Sequence, residues 1–197
     1  MATSLAEKTY TVEEYLELEK NSETRHEFYY GKLIEMPGES RIANQISKNI
    51  LKKWDDSLEE QGYSLYSHDI KAQIKKSGLY RYPDILVTPE SDDEDDYMVK
   101  KPIIIVEVAS EDSWRTDTFT KRKEYTALPS LQYYIIVSQV EMYVELYSRE
   151  GNNWVFNHFE LLDETLKLPD FNLKITLSDI YHRVKFGDAK TDVEVFK

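Results

Sequence analysis

Cysteine is absent from the 197 residues. That excludes disulfides and thiolate metal sites, and makes a reducing cytoplasm the expected compartment. The segment 1–8 lacks the basic-then-apolar pattern of a secretory signal. No apolar run approaches the ~18 residues of a membrane span, so no membrane partner is expected. Internal repeats, Gly/Ser linkers and breaks in composition are also missing, which leaves one domain over residues 1–197, with its core between about 10 and 186. Positive charge is scarce: 25 Lys and Arg against 37 Asp and Glu give a net charge of −12. That argues against a protein that coats nucleic acid through phosphate contacts. A metal-dependent enzyme is not, because its site is itself built from carboxylates.

What is present suits a folded domain. Hydrophobic residues make up 41% of the chain, enough for a sizeable core. Thr11 and Glu14 form a capping box for a first amphipathic helix. Residues 25–36 read as two strands joined at Gly31. Ser40 is the expected N-cap of a long helix whose Ile42, Ile46, Ile50, Trp54 and Leu58 form one apolar stripe. Strands are expected over 67–74, 84–88, 102–110, 132–137, 142–148 and 154–159. A helix is expected over 116–128, and Ser178 as cap of a last helical turn. The order predicts an α/β or α+β fold with a mixed central β-sheet flanked by helices.

Two carboxylates stand out. Asp84 follows Pro83 at the start of a strand, and Glu107 interrupts the most apolar run of the chain, PIIIVEVAS. A carboxylate there costs several kcal/mol, roughly, unless it is paired or holds a metal. A hard cation such as Mg²⁺ accepts such oxygens. Pairing with a helix-borne Arg or Lys serves the residues equally well on spacing alone. The remaining polar features carry less. The four histidines show no metal-ligand spacing. Asp92 to Asp96 read as a solvated acidic loop, and Arg115, Lys121, Arg122 and Lys123 as a charged helix face.

The segments TVEEYLELEKNSETRHEFYYGKLIEMPG, YRYPDILVTPE, PIIIVEVASEDS, DTFTKRKEYTALPSLQYYIIVSQ and LSDIYHRVKF occur in this order. As an ordered set they resemble the putative restriction endonuclease family, the Uma-two family, within the PD-(D/E)XK nuclease superfamily. The resemblance runs from about Tyr10 to about Phe186. It implies a restriction-endonuclease-like fold and hydrolysis of DNA phosphodiester bonds with Mg²⁺ or Mn²⁺. It assigns Asp84, Glu107 and the Val108 carbonyl to the metal and adds Glu27 as a third carboxylate. Lys121 matches a family lysine and completes the catalytic set Glu27, Asp84, Glu107 and Lys121.

This chain departs from the pattern at Ala109, where the superfamily has lysine, at Ala43, where the family often has histidine, and at Tyr30, often aspartate. If Lys121 replaces the missing lysine from the helix, Lys121→Ala is expected to abolish cutting and leave the melting temperature nearly unchanged. The departures also support an alternative, a catalytically inactive nuclease-fold module for protein interaction or oligomerisation. A homodimer or higher homo-oligomer is expected, because twofold symmetry is the commonest and duplex cutting needs two sites. No recognition helix with base-reading side chains is evident, so no target sequence follows.

Overall fold

The computed structural model describes residues 8–92 and 95–186. The expectations for the N-terminal segment and the acidic loop fall partly on residues 1–7, 93 and 94, outside that range. No helix among the described residues is long and apolar enough to cross a membrane.

Helix α1 (Val12–Asn21) starts at the Thr11–Glu14 capping box, in which both reciprocal hydrogen bonds are formed. Strands β1 (His26–Tyr29) and β2 (Lys32–Glu35) then make a hairpin. Its turn residues, Tyr30 and Gly31, have φ of 45° and 95°. Two positive φ values give the twist that a two-residue hairpin requires, and Gly31 adopts one without strain. Helix α2 (Arg41–Glu59) is capped by the Ser40 side chain. Its buried stripe of Ile46, Ile50, Trp54 and Leu58 belongs to the largest hydrophobic core.

Strands β3 (Tyr63–Ser67), β4 (Lys71–Lys75), β5 (Leu79–Arg81), β6 (Ile85–Pro89), β7 (Met98–Val99) and β8 (Ile104–Ala109) follow. A π-helical turn (Thr116–Lys121) runs directly into α3 (Arg122–Thr126). Strands β9 (Tyr133–Ser138), β10 (Val144–Glu150), β11 (Asn153–Phe159), β12 (Thr165–Leu168) and β13 (Leu173–Thr176) and helix α4 (Leu177–Ile180) complete the order.

The central sheet has six strands in the order β11-β10-β9-β8-β6-β3. It is mixed, as expected: β8 and β9 are parallel, and the other pairs antiparallel. A second sheet, β2-β1-β5-β4-β7, was not foreseen. The expected strand over 67–74 is broken at His68, whose φ of 61° turns the chain from the first sheet into the second. The last helical turn is capped by Thr176, not Ser178, because the Thr176–Asp179 pair makes the capping box.

Alternation along β8 decides what Glu107 faces. Ile104, Val106 and Val108 point into the core beneath α2. Ile105 and Ala109 point to the opposite face, into a second core with Tyr125, Leu128 and Tyr134. Glu107 shares that second face, beneath the π turn and α3.

Candidate active site

Strands β6 and β8 pair antiparallel with Ile85 opposite Val106. One residue further, the same register sets Asp84 against Glu107. The Val108 amide donates to Asp84 Oδ2 at 2.6 Å, which fixes that carboxylate on the end of β8. Glu107 is buried and Asp84 half-buried. Burial pushes the Glu107 carboxyl well above the usual range, against the pull of Lys121. Burial also raises Asp84, opposed by the Val108 amide and by Lys121.

The helix covering this face supplies the counter-charge. Lys121 Nζ lies 3.1 Å from Glu107 Oε1, 3.2 Å from Asp117 Oδ1 and 3.6 Å from Glu27 Oε1. Its side chain is only 13% exposed. Burial alone would lower its pKa, but Glu107, Glu27, Asp117 and Asp84 outweigh burial and raise it, so it stays an ammonium. Lys121, offered by the sequence as part of a charged helix face, instead lies inside a buried cluster, paired with Asp117 and Glu107. Tyr125 Oη donates to Glu107 Oε1 at 2.7 Å, one turn beyond Lys121 on the same face. Tyr134 Oη, from β9, donates to the Asp117 carbonyl at 3.1 Å. The π turn bears on this geometry, since such turns re-aim side chains and collect at functional sites.

Glu27, on β1, comes from the second sheet. Arg81 Nη1 donates to its Oε2 at 2.5 Å, and the same guanidinium makes a fork to Glu124 with two bonds of 2.9 Å. Glu27 Oε1 and Asp117 Oδ1 are buried without a directed hydrogen bond. Their contacts with Lys121 are therefore electrostatic rather than directional. The fold thus brings Glu27, Glu107 and Lys121 into one cluster, with Asp84 adjoining it at the strand end. Sequence reasoning overlooked Arg81, Glu124, Asp117 and Tyr125 as its members, although the Asp117–Lys121–Tyr125 spacing was visible. Arg81 gave no signal, because its partners lie far away in the chain.

Two further groups lie beside Asp84. His68 and Glu39 each place a ligand atom so that, with Asp84, all three lie within 4.8 Å of one another. Spacing could not reveal this, since the three residues come from three different elements.

Asp84, just before β6, and Glu107, within β8, thus stand opposite each other on paired central strands, with Lys121 brought down from the covering helix. The chain belongs to the Uma2 family, described as "Putative restriction endonuclease", whose model matches residues 12–178. It is 28% identical over 172 residues to the uncharacterized protein sll1609 of Synechocystis, covering 85% of this chain and 96% of that one. It is 27% identical over 176 residues to slr1290 of the same organism, also uncharacterized, covering 88% of this chain and 92% of that one. The fold matches the crystal structure of a putative nuclease belonging to DUF820 from Anabaena variabilis, with TM-score 0.71 and 17% identity over 87% of this chain and 97% of that one.

Proposed function

We propose that the protein is a metal-dependent endonuclease that hydrolyses phosphodiester bonds of DNA. The observation that carries the reading is the register of β6 against β8, which sets Asp84 opposite Glu107 with Lys121 Nζ 3.1 Å from Glu107. The donor set fits a hard divalent cation. It is all oxygen, the surrounding cluster holds more carboxylates than cationic groups, and one buried oxygen of the set, Glu27 Oε1, has no directed partner. Asp84, Glu107 and the Val108 carbonyl would hold Mg²⁺ or Mn²⁺, with Glu27 supporting. When bound, the ion supplies charge neutralisation at the scissile phosphate and a more acidic water.

The chain's own groups do the rest. Lys121, raised and fully protonated, donates toward the attacking water and offsets the charge that develops on phosphate. Tyr125 and Lys121 together hold Glu107 in one orientation. Arg81 holds Glu27 and ties the hairpin sheet to α3. A chain with no cysteine suits a reducing cytoplasm, where DNA is the substrate at hand, and a homodimer would supply a second site for the other strand.

One observation favours a second reading. Arg81, Lys121 and Tyr125 already occupy oxygens of Glu27 and Glu107, which also suits a metal-free interaction module. Incubating the protein with plasmid and single-stranded DNA, with Mg²⁺ or Mn²⁺, separates the two. Cutting that needs the metal and is lost in Asp84→Ala supports the nuclease. No cutting on either substrate supports the module.

A further inference from the structure

We propose that Glu39, His68 and Asp84 form a cation site selective for transition metals such as Zn²⁺ over Mg²⁺. It rests on the preceding reading only in sharing Asp84 as a metal ligand; Glu39 and His68 lie outside the catalytic set.

Three elements converge on it. His68 directly follows β3 and is clasped to the residue before β6, its amide donating to the Asp84 carbonyl at 3.1 Å. Glu39 immediately precedes the Ser40 cap of α2. Each carboxylate has one oxygen anchored and the other free of hydrogen bonds among the described residues. Asn44 Nδ2 donates to Glu39 Oε2 at 2.8 Å, and the Val108 amide donates to Asp84 Oδ2 at 2.6 Å. His68 Nδ1 stands 3.6 Å from Glu39 Oε1, too long for a hydrogen bond.

That spacing suits two ligands on one ion. With metal–ligand bonds of about 2.0–2.2 Å, ligand atoms lie roughly 3 Å apart at a right angle and about 4.3 Å apart across the ion. The three atoms, within 4.8 Å of one another, need only small side-chain shifts to close on a cation. The side chains of His68 and Glu39 are 33% and 26% exposed, so an ion and its waters have access. The imidazole sets the selectivity, because it binds Zn²⁺, Ni²⁺ and Cu²⁺ far better than Mg²⁺, which prefers oxygen. A simple His68–Glu39 ion pair is the competing account, and it predicts no selectivity.

Titration calorimetry on the full chain with Zn²⁺, Mn²⁺ and Mg²⁺ tests the proposal. One Zn²⁺ should bind at least about tenfold tighter than Mg²⁺. The variant His68→Asn, whose side chain tolerates the left-handed backbone here, should lose about tenfold or more in Zn²⁺ affinity while Mg²⁺ binding changes little. Glu39→Gln should weaken Zn²⁺ in the same direction. Pulsed EPR of the native protein with substoichiometric Cu²⁺, which imidazole binds tightly, should show coupling to an imidazole nitrogen that His68→Asn loses. Unchanged Zn²⁺ affinity in His68→Asn, or no nitrogen coupling in the native protein, overturns the site. Zn²⁺ binding that requires His68 in a protein that cuts no DNA upholds the site and rejects the nuclease reading. Cutting without His68-dependent Zn²⁺ binding does the reverse.

Discussion

Removing the Lys121 ammonium is the sharpest structural perturbation available. Lys121→Ala leaves Glu107, Asp117 and Glu27, whose side chains are 4%, 2% and 9% exposed, without the cation they surround. Glu107 keeps the Tyr125 hydroxyl, but Asp117 Oδ1 keeps no directed partner. Breaking a buried pair from one side costs about 3–5 kcal/mol. At roughly 2–4 °C per kcal/mol for a chain of this size, the melting temperature should fall by at least about 6 °C. The sequence-based expectation of an unchanged melting temperature is therefore replaced. The loss should also depend on pH. Glu107 has its folded pKa raised by burial, so the folded state binds the proton more readily than the unfolded one. Its ionisation then opposes folding as pH rises above the unfolded value. Without Lys121 that opposition grows, so the variant should trail the native protein more at pH 8 than at pH 5. Thermal melts followed by circular dichroism at both pH values decide it. A drop below about 2 °C at pH 8, or a drop independent of pH, refutes the buried-cluster account.

Three other outcomes are expected. Arg81→Lys removes the fork to Glu124 and the bond to Glu27, so urea unfolding should show a loss of about 2–3 kcal/mol, since lysine cannot reproduce a bidentate geometry. Lys71 is 7% exposed and its pKa is lowered by burial, against Glu19 and Asp95. Its charge thus opposes folding at neutral pH and ceases to do so as pH rises toward the unfolded lysine value. Lys71→Met should stabilise the protein by about 1 kcal/mol at pH 7, with the gain shrinking toward pH 10 in thermal melts. Mn²⁺ at about ten times its dissociation constant should stabilise the native chain by about 1.4 kcal/mol through linkage, a rise of about 3–6 °C; Asp84→Ala should rise much less, and an equal rise would place the ion elsewhere.

The large elements were legible because one rule governed each. Four-residue spacing of Ile46, Ile50, Trp54 and Leu58 gave α2 its buried face, and an apolar run broken only by Glu107 gave β8 its place inside the sheet. Short elements escaped: β5 and β7 have three and two residues, too few for a periodicity to show, and their pairing with β4 is set by tertiary contact. The break at His68 was hidden because a positive φ is uncommon at any residue other than glycine, even where histidine tolerates it. At the site, Asp84 and Glu107 were readable as polar residues in apolar strands. Arg81 and Glu124 were not, since a fork between a strand and a helix distant in sequence leaves no local pattern. His68 and Glu39 stayed hidden for the same reason.

Supercoiled plasmid incubated with the native protein and millimolar Mg²⁺ or Mn²⁺, beside Asp84→Ala and a chelator control, tests the central claim most directly. The account predicts nicked or linear product with the native protein and the metal, and intact plasmid in both controls. Cutting by Asp84→Ala at the native rate, or cutting that persists under the chelator, would contradict it.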